Sequence, residues 1–207
     1  MVICGYLIDE GEENVLRQIG ARDSKLLSDQ RRRELSVLLK KAARDFMMIT
    51  ISASELDSMM EEKNLNRIEI SKMQEIINLL RPDMVVIDCP ETNTEKFCEK
   101  MRQGLSVRSL MLRCENHADR NHPVVSAASI LAKVTRDDAL EKIKKEVGFD
   151  FGTGYSHDER TVKFVREWYE KHHSFPDWVR KKWATSRNIA KEHARARGQK
   201  KMNDFFQ

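Results

Sequence analysis

Met84-Val85-Val86-Ile87-Asp88 is an apolar run closed by an acid, and Cys89-Pro90 stops it. A short, continuously apolar segment bounded by turn residues reads as a buried strand. Upstream, helical spacing predicts a helix from about Leu65 to Leu80, closed by Arg81-Pro82. Downstream, Thr94 caps a predicted helix to about Gln103, and Val107 to Leu112 reads as the next strand. Strands alternating with helices indicate an α/β fold, helices packed around a sheet.

The pattern continues outward. Val2 to Ile8 is a short strand ending at Asp9. Ser28 caps a helix from about Asp29 to Arg44, with Leu35, Leu38 and Leu39 on one face, and Phe46 to Ile51 is a strand. Ser52 and Glu55 have the form of a capping box. Pro123 opens a long helix to about Val147, since proline is tolerated in a first turn. Phe151-Gly152-Thr153-Gly154-Tyr155 is a glycine-rich loop. Asp158 begins a helix through Trp168, and Asp177 begins another that Gly198 ends.

The 207 residues suffice for one core, or a core with a small appendage. Hydrophobic residues make up 40% and charged residues 34%, the balance of a soluble protein. No apolar run is long enough to span a bilayer. The start, apolar for eight residues without a basic region before it, reads as a strand and not as a signal peptide. Cys4, Cys89, Cys98 and Cys114 show no CxxC spacing, so free thiols in a reducing cytoplasm are expected. Between Arg180 and Lys201 lie nine Lys or Arg and one acid, which leaves the rest of the chain net negative against a total of +4. Such a block suits a phosphate backbone and equally suits a solvated helix face.

Three residues are candidates for chemistry. Asp88 ends a strand, where catalytic groups collect in α/β folds, although an aspartate also starts turns. Asp119 precedes the Pro123 helix, where an acid also complements the helix dipole. Together they can ligate hard divalent cations through oxygen. Two-metal phosphoryl displacement ordinarily uses more carboxylates than two. Tyr155 follows Gly152-Thr153-Gly154, where small residues admit a close ligand and the ring can stack on a sugar or base. A half-buried turn tyrosine is the plainer reading.

The order and spacing of several segments carry a resemblance. They are Arg22-Asp23-Ser24-Lys25-Leu26, Asn64-Leu65-Asn66, Ile87-Asp88 and His117-Ala118-Asp119. After them come Pro123-Val124-Val125-Ser126-Ala127-Ala128-Ser129-Ile130-Leu131-Ala132-Lys133-Val134-Thr135-Arg136-Asp137, the Gly152 to Tyr155 loop with Asp158 and Thr161, and Phe175-Pro176. The chain resembles ribonuclease HII of the archaeal or eukaryotic type over nearly its whole length. The resemblance implies a ribonuclease H-like mixed sheet flanked by helices in residues 1–157, a helical region in 158–198 and a tail in 199–207. It implies cleavage of the RNA strand of RNA–DNA hybrids, and incision 5′ to ribonucleotides embedded in duplex DNA. The implied cofactor is Mg²⁺ or Mn²⁺. By the same resemblance Asp88 and Asp119 match the third and fourth carboxylates of the metal site. Tyr155 matches the tyrosine that senses the 2′-hydroxyl, and Asp23 to Lys25 is a structural or substrate-adjacent marker. A cytoplasmic monomer is expected.

One departure stands out. The family opens with a strand carrying Asp-Glu-Ala-Gly-Arg/Lys-Gly, which supplies two acids and a glycine-rich grip on the ribonucleotide. Ile8-Asp9-Glu10-Gly11 continues into Glu12 and Glu13, not into Gly-basic-Gly, and Asp23 follows Asp9 by only fourteen positions. Met1 to Asp9 therefore aligns with the family's second strand. The expectation is that the natural start lies upstream. The alternatives are an inactive, hybrid-binding fragment, or substitution by Asp9 and Glu10.

The tail Gln199-Lys200-Lys201-Met202-Asn203-Asp204-Phe205-Phe206 has the pattern of the peptide by which partners bind the sliding clamp PCNA. One tight helical turn brings Met202, Phe205 and Phe206 to one face for a hydrophobic pocket, with Gln199 beside them.

Overall fold

The computed structural model describes residues 1–22, 24, 27–107 and 109–204, with side chains as far as Arg195. Asp23, Lys25, Phe205, Phe206 and the side chains of Gln199 and Met202 lie outside the described residues. In chain order the elements begin β1 (Val2–Leu7), α1 (Glu13–Ile19), α2 (Asp29–Ala42), β2 (Asp45–Thr50), α3 (Ala53–Met59) and α4 (Leu65–Leu80). They continue β3 (Met84–Asp88), α5 (Thr94–Gln103), β4 (Met111–Glu115), α6 (Ala118–Asn121), α7 (Pro123–Val147), α8 (Glu159–His172) and α9 (Ala184–Asp204). Among them no helix is long and apolar enough to cross a membrane.

Two compact units result. One comprises Val2–Thr50 and Asn64–Arg136 and holds all four strands. β1 and β2 pair antiparallel, Val2 opposite Thr50, and β3 and β4 pair parallel. Among the described residues these are two separate two-stranded sheets, one antiparallel and one parallel, flanked by helices. The amphipathic α4 serves both: it packs on β1 and β2, while Ile70 and Ile77 join Ile87 and Leu112 of β3 and β4 in one cluster. Tyr6, Leu16, Leu35 and Leu39 form a second cluster with Ala127, Ile130 and Leu131 from the first half of α7. The Tyr6 hydroxyl, buried there, donates to the Leu39 carbonyl at 2.6 Å.

The other unit comprises Met1, Ile51–Lys63 and Asp137–Gln207. Val165, Val179 and Ile189 are its buried aliphatics, packed with Phe164, Phe175 and Trp178. The Phe151 ring stacks on Phe164 at 5.3 Å and on Trp178 at 5.5 Å.

Several elements depart from the expectations. α1 was not foreseen: its stretch is mostly polar and buries only Leu16. Asn93, not Thr94, caps α5 by accepting from the Lys96 amide at 2.9 Å. Leu38 of α2 is exposed, since Leu35, Ser36 and Leu39 occupy the buried stripe. The fourth strand runs from Met111 to Glu115 instead of Val107 to Leu112, because its pairing with β3 fixes its extent and Leu110 is buried before it begins. α9 starts at Ala184, not Asp177. The intervening turn is held by buried Asp57, which accepts from the amides of Lys181 and Lys182. It also passes Gly198, a cost of about 1 kcal/mol that neighbouring good helix formers can carry.

At Gly5 the helix α4 packs closely on β1. A Cβ there would overlap Ile76 Cγ2 and lie 3.0 Å from Leu80 Cδ1, and the β-branched Ile76 has little freedom to yield. Gly5→Val is expected to cost about 1–3 kcal/mol through overpacking, read as a lower urea midpoint with unchanged slope. An unchanged midpoint would show that α4 is not seated on β1 as described.

Candidate active site

β3 and β4 run in register from Met84 opposite Met111 to Asp88 opposite Glu115. Both strands therefore end at one level, the C-terminal edge where α/β folds place ligands. The Cys89 amide extends the pairing by donating to the Glu115 carbonyl at 2.8 Å. Asn116 then ties the two exits together: its side-chain amide donates to the Cys89 and Glu91 carbonyls, each at 2.9 Å. The Glu91 carboxylate is itself anchored, accepting from Lys100 Nζ of α5 at 2.9 Å and Asn66 Nδ2 of α4 at 3.3 Å. The Lys100 contact holds the Glu91 carboxyl below its usual range.

After β4 the chain reverses through His117, whose φ of 58° is left-handed and uncommon outside glycine. That turn aims the next amide back at β3: Ala118 N–H donates to Asp88 Oδ1 at 3.1 Å. Asp119 is the following residue, 3% exposed. One charge-assisted hydrogen bond thus brings α6, and Asp119 with it, against the end of β3. Glu115, opposite Asp88 in the register, is engaged with His122 Nε2 at 3.0 Å.

Asp88 and Asp119 are hard oxygen donors of the kind Mg²⁺ and Mn²⁺ take. Among the described residues no group of three or more His, Cys, Asp or Glu is placed to hold a metal ion. The described residues therefore fit part of a two-cation site and not the whole of one. Asp9, at the end of β1, pairs with Arg44 and is more than half exposed.

Tyr155 lies in the other unit, on a loop held by the side chains of Asp158 and Thr161. Gly152 sits at φ +87°, and a Cβ on it would collide with the Asp158 carboxylate. Asp158 Oδ2 accepts from the Thr153 amide at 2.7 Å and from its hydroxyl at 2.9 Å. Thr161 accepts from the Gly154 amide at 3.0 Å and donates to the Phe151 carbonyl at 2.8 Å. The Tyr155 ring, 40% exposed, stacks on His157 at 5.3 Å.

The sequence reading gave no role to Asn116, Glu91 or Lys100, because their contacts join residues up to 27 positions apart. It also missed a cavity of about 340 Å³ in the first unit, lined by Arg17, Arg22 and Arg31 around Gly20. Those arginines come from α1, the loop after it and α2, so nothing in the sequence marks them as neighbours. In the C-terminal basic block, several charges are paired: Lys181 with Asp177 at 3.1 Å and Lys182 with Glu61 at 3.6 Å.

The family described as Ribonuclease HII matches residues 1–186. The chain is 35% identical to the ribonuclease HII of Pyrococcus furiosus over 208 residues, covering all of this chain and 91% of that protein. The crystal structure of the ribonuclease H2 from Pyrococcus horikoshii OT3 superposes with a TM-score of 0.81 at 30% identity, over 93% of this chain and 98% of that one. The ribonuclease HII in the PCNA:RNase HII complex from Archaeoglobus fulgidus superposes with a TM-score of 0.78 at 34% identity, over 91% and 86%. A ribonuclease H-like fold and full-length sequence similarity coincide, and the chain belongs to the ribonuclease HII family, the type 2 ribonucleases H, which are endoribonucleases.

Proposed function

We propose that the chain degrades the RNA strand of RNA–DNA hybrids and incises 5′ to ribonucleotides embedded in duplex DNA, in the cytoplasm and as a monomer. The observation that carries this reading is the Ala118–Asp88 hydrogen bond, which ties the residue preceding Asp119 to the Asp88 carboxylate at the end of β3. These two acids are assigned as the chain's own ligands to Mg²⁺ or Mn²⁺. A bound cation would supply electrostatic stabilisation of the oxygens that gain charge as the phosphodiester is cut. The chain's residues orient the site: Asn116 and the Ala118 amide fix the Asp88 end, and buried Asp119 is held by the His117 turn. The cavity of Arg17, Arg22 and Arg31 offers guanidinium groups to backbone phosphates.

The absence of a third carboxylate beside Asp88 and Asp119 among the described residues favours a second reading, a hybrid-binding module without catalysis. The two readings separate in one assay. The 207-residue chain is expected to bind an RNA–DNA hybrid while cleaving it slowly. A chain bearing an added N-terminal strand with Asp-Glu-Ala-Gly-Arg-Gly is expected to cleave on the order of 100-fold faster or more. In that longer chain Asp88→Asn should remove most of the gain, because an amide is a poor Mg²⁺ ligand. Binding without cleavage in both chains would support the second reading, and full activity in the Asn variant would remove Asp88 from the site.

Tyr155 is assigned to the ribonucleotide, where its ring would meet the sugar that carries the 2′-hydroxyl. Asp158 keeps its loop in place. The Thr153 amide, its hydroxyl and Arg160 lower the Asp158 carboxyl from the usual 3.8 to about 2. A depressed folded-state value stabilises above the unfolded value and is lost as pH falls through the folded one. Loop protection should therefore be full above about pH 4 and fade toward pH 2. Asp158→Asn should speed hydrogen exchange of the Thr153 amide already at neutral pH. Equal exchange in parent and variant at pH 7 would contradict this.

The tail residues Gln199, Met202, Phe205 and Phe206 are assigned to a PCNA-type sliding clamp. Their spacing supports this, as does the clamp complex formed by the Archaeoglobus relative. Replacing Phe205 and Phe206 together by Ala should weaken clamp binding by about 100-fold or more, since buried aromatic anchors are worth about 2 kcal/mol or more each. Cleavage of a short hybrid should be unaffected. Undiminished affinity in a clamp titration would refute the assignment.

A further inference from the structure

β4 and α5 carry two thiols in direct contact. Cys114 Sγ donates to Cys98 Sγ at 2.8 Å, with sixteen positions of chain between them. That is closer than two sulfur atoms rest in van der Waals contact, and within roughly 1 Å of the covalent bond length of about 2.05 Å. Cys98 is oriented by a second contact, to the Leu112 carbonyl of β4 at 3.8 Å. Both thiols are half-buried. Cys89, in the same cluster, is buried and directed elsewhere, donating to the Glu91 carbonyl at 3.3 Å. Cys4 belongs to the other cluster of this unit.

We propose that Cys98 and Cys114 are a reversible oxidation site that closes to an internal disulfide under a low-molecular-weight disulfide such as oxidised glutathione. The Cys98 thiolate attacks one sulfur of the oxidant and displaces a thiolate, giving a mixed disulfide. Cys114 then gives up its proton and attacks the Cys98 sulfur, displacing the second thiolate. The protein loses two electrons and two protons, and the oxidant gains them as two thiols. Burial and the contact with Cys98 push the Cys114 thiol above its ordinary range, so Cys114 serves as the second, resolving thiol once an oxidant has engaged Cys98.

The position gives the bond a consequence. Cys114 sits opposite Ile87 and one residue before Glu115, so the crosslink would fasten α5 to β4 directly beneath the strand ends that carry Asp88. It would close the segment from Cys98 in α5 to Cys114 in β4, sixteen positions on, and a cross-link of that length restricts the unfolded chain.

The test is a thiol count on the intact protein. Reduced protein has four free cysteines. After oxidised glutathione and removal of excess reagent, two thiols should remain, the mass should fall by two hydrogens without a glutathione adduct, and peptide mapping should join Cys98 to Cys114. Dithiothreitol should restore all four. The oxidised form should melt on the order of 5 to 10 °C higher than the reduced form. Cys89→Ser should close the same bond, leaving one of its three thiols. Cys98→Ser should form no internal disulfide. Retention of four thiols, a bond that includes Cys89, or a bond between two chains would overturn the proposal. None of these readouts depends on nuclease activity.

Discussion

The parallel pairing of β3 with β4 sets both strand ends at one level, Asp88 opposite Glu115, and the arrangement beyond them is built on that level. Parallel strands need a long crossover, and here it contains α5, whose buried Phe97 and Met101 share one cluster with Ile87 and Leu112. A slip of one residue would turn each side chain of β4 to the opposite face. It would move Glu115, and with it the His117 turn and Ala118, away from Asp88. Register is therefore secured repeatedly: by the Cys89 amide on Glu115, by Asn116 across both exits and by Lys100 on Glu91.

Backbone strain at His117 belongs to the same construction. A left-handed non-glycine residue costs on the order of 1 kcal/mol or more and persists only where its surroundings over-determine it. The surroundings here are the β4 ladder before it and the Ala118 amide bound to Asp88 after it. Without the turn the chain would leave the sheet along the direction of β4, and buried Asp119 would not follow the strand end.

Periodicity reported what depends on nearest neighbours along the chain. The α4 helix, the β3 strand and the long helix from Pro123 to Val147 were legible because each has a strong apolar pattern and a clear stop or start residue. β4 was misplaced because Arg113 and Glu115 look like loop residues until β3 supplies their partners. α1 escaped because a single buried leucine makes no period. Asp88 and Asp119 were legible as candidates from their strand-end and helix-start positions. The link from Asp88 to α6 was not, since it passes through the amide of Ala118, and every residue but proline carries an amide.

Charge sets what these two acids can hold. The two aspartates proposed as ligands carry at most two negative charges, enough to balance one divalent cation. A pair of divalent cations would leave two positive charges unbalanced, and at Asp119, which is 3% exposed, water can do little to screen them. Glu115 is close in the register, but its carboxylate is directed to His122 and is already committed. Asp9 is committed to Arg44. Position is thus supplied by the strand ends and the His117 turn, whereas in-line displacement between two cations requires further negative charge at the same place. Among the described residues no third acid joins these two as a possible metal ligand, and that limits the chemistry they would perform alone.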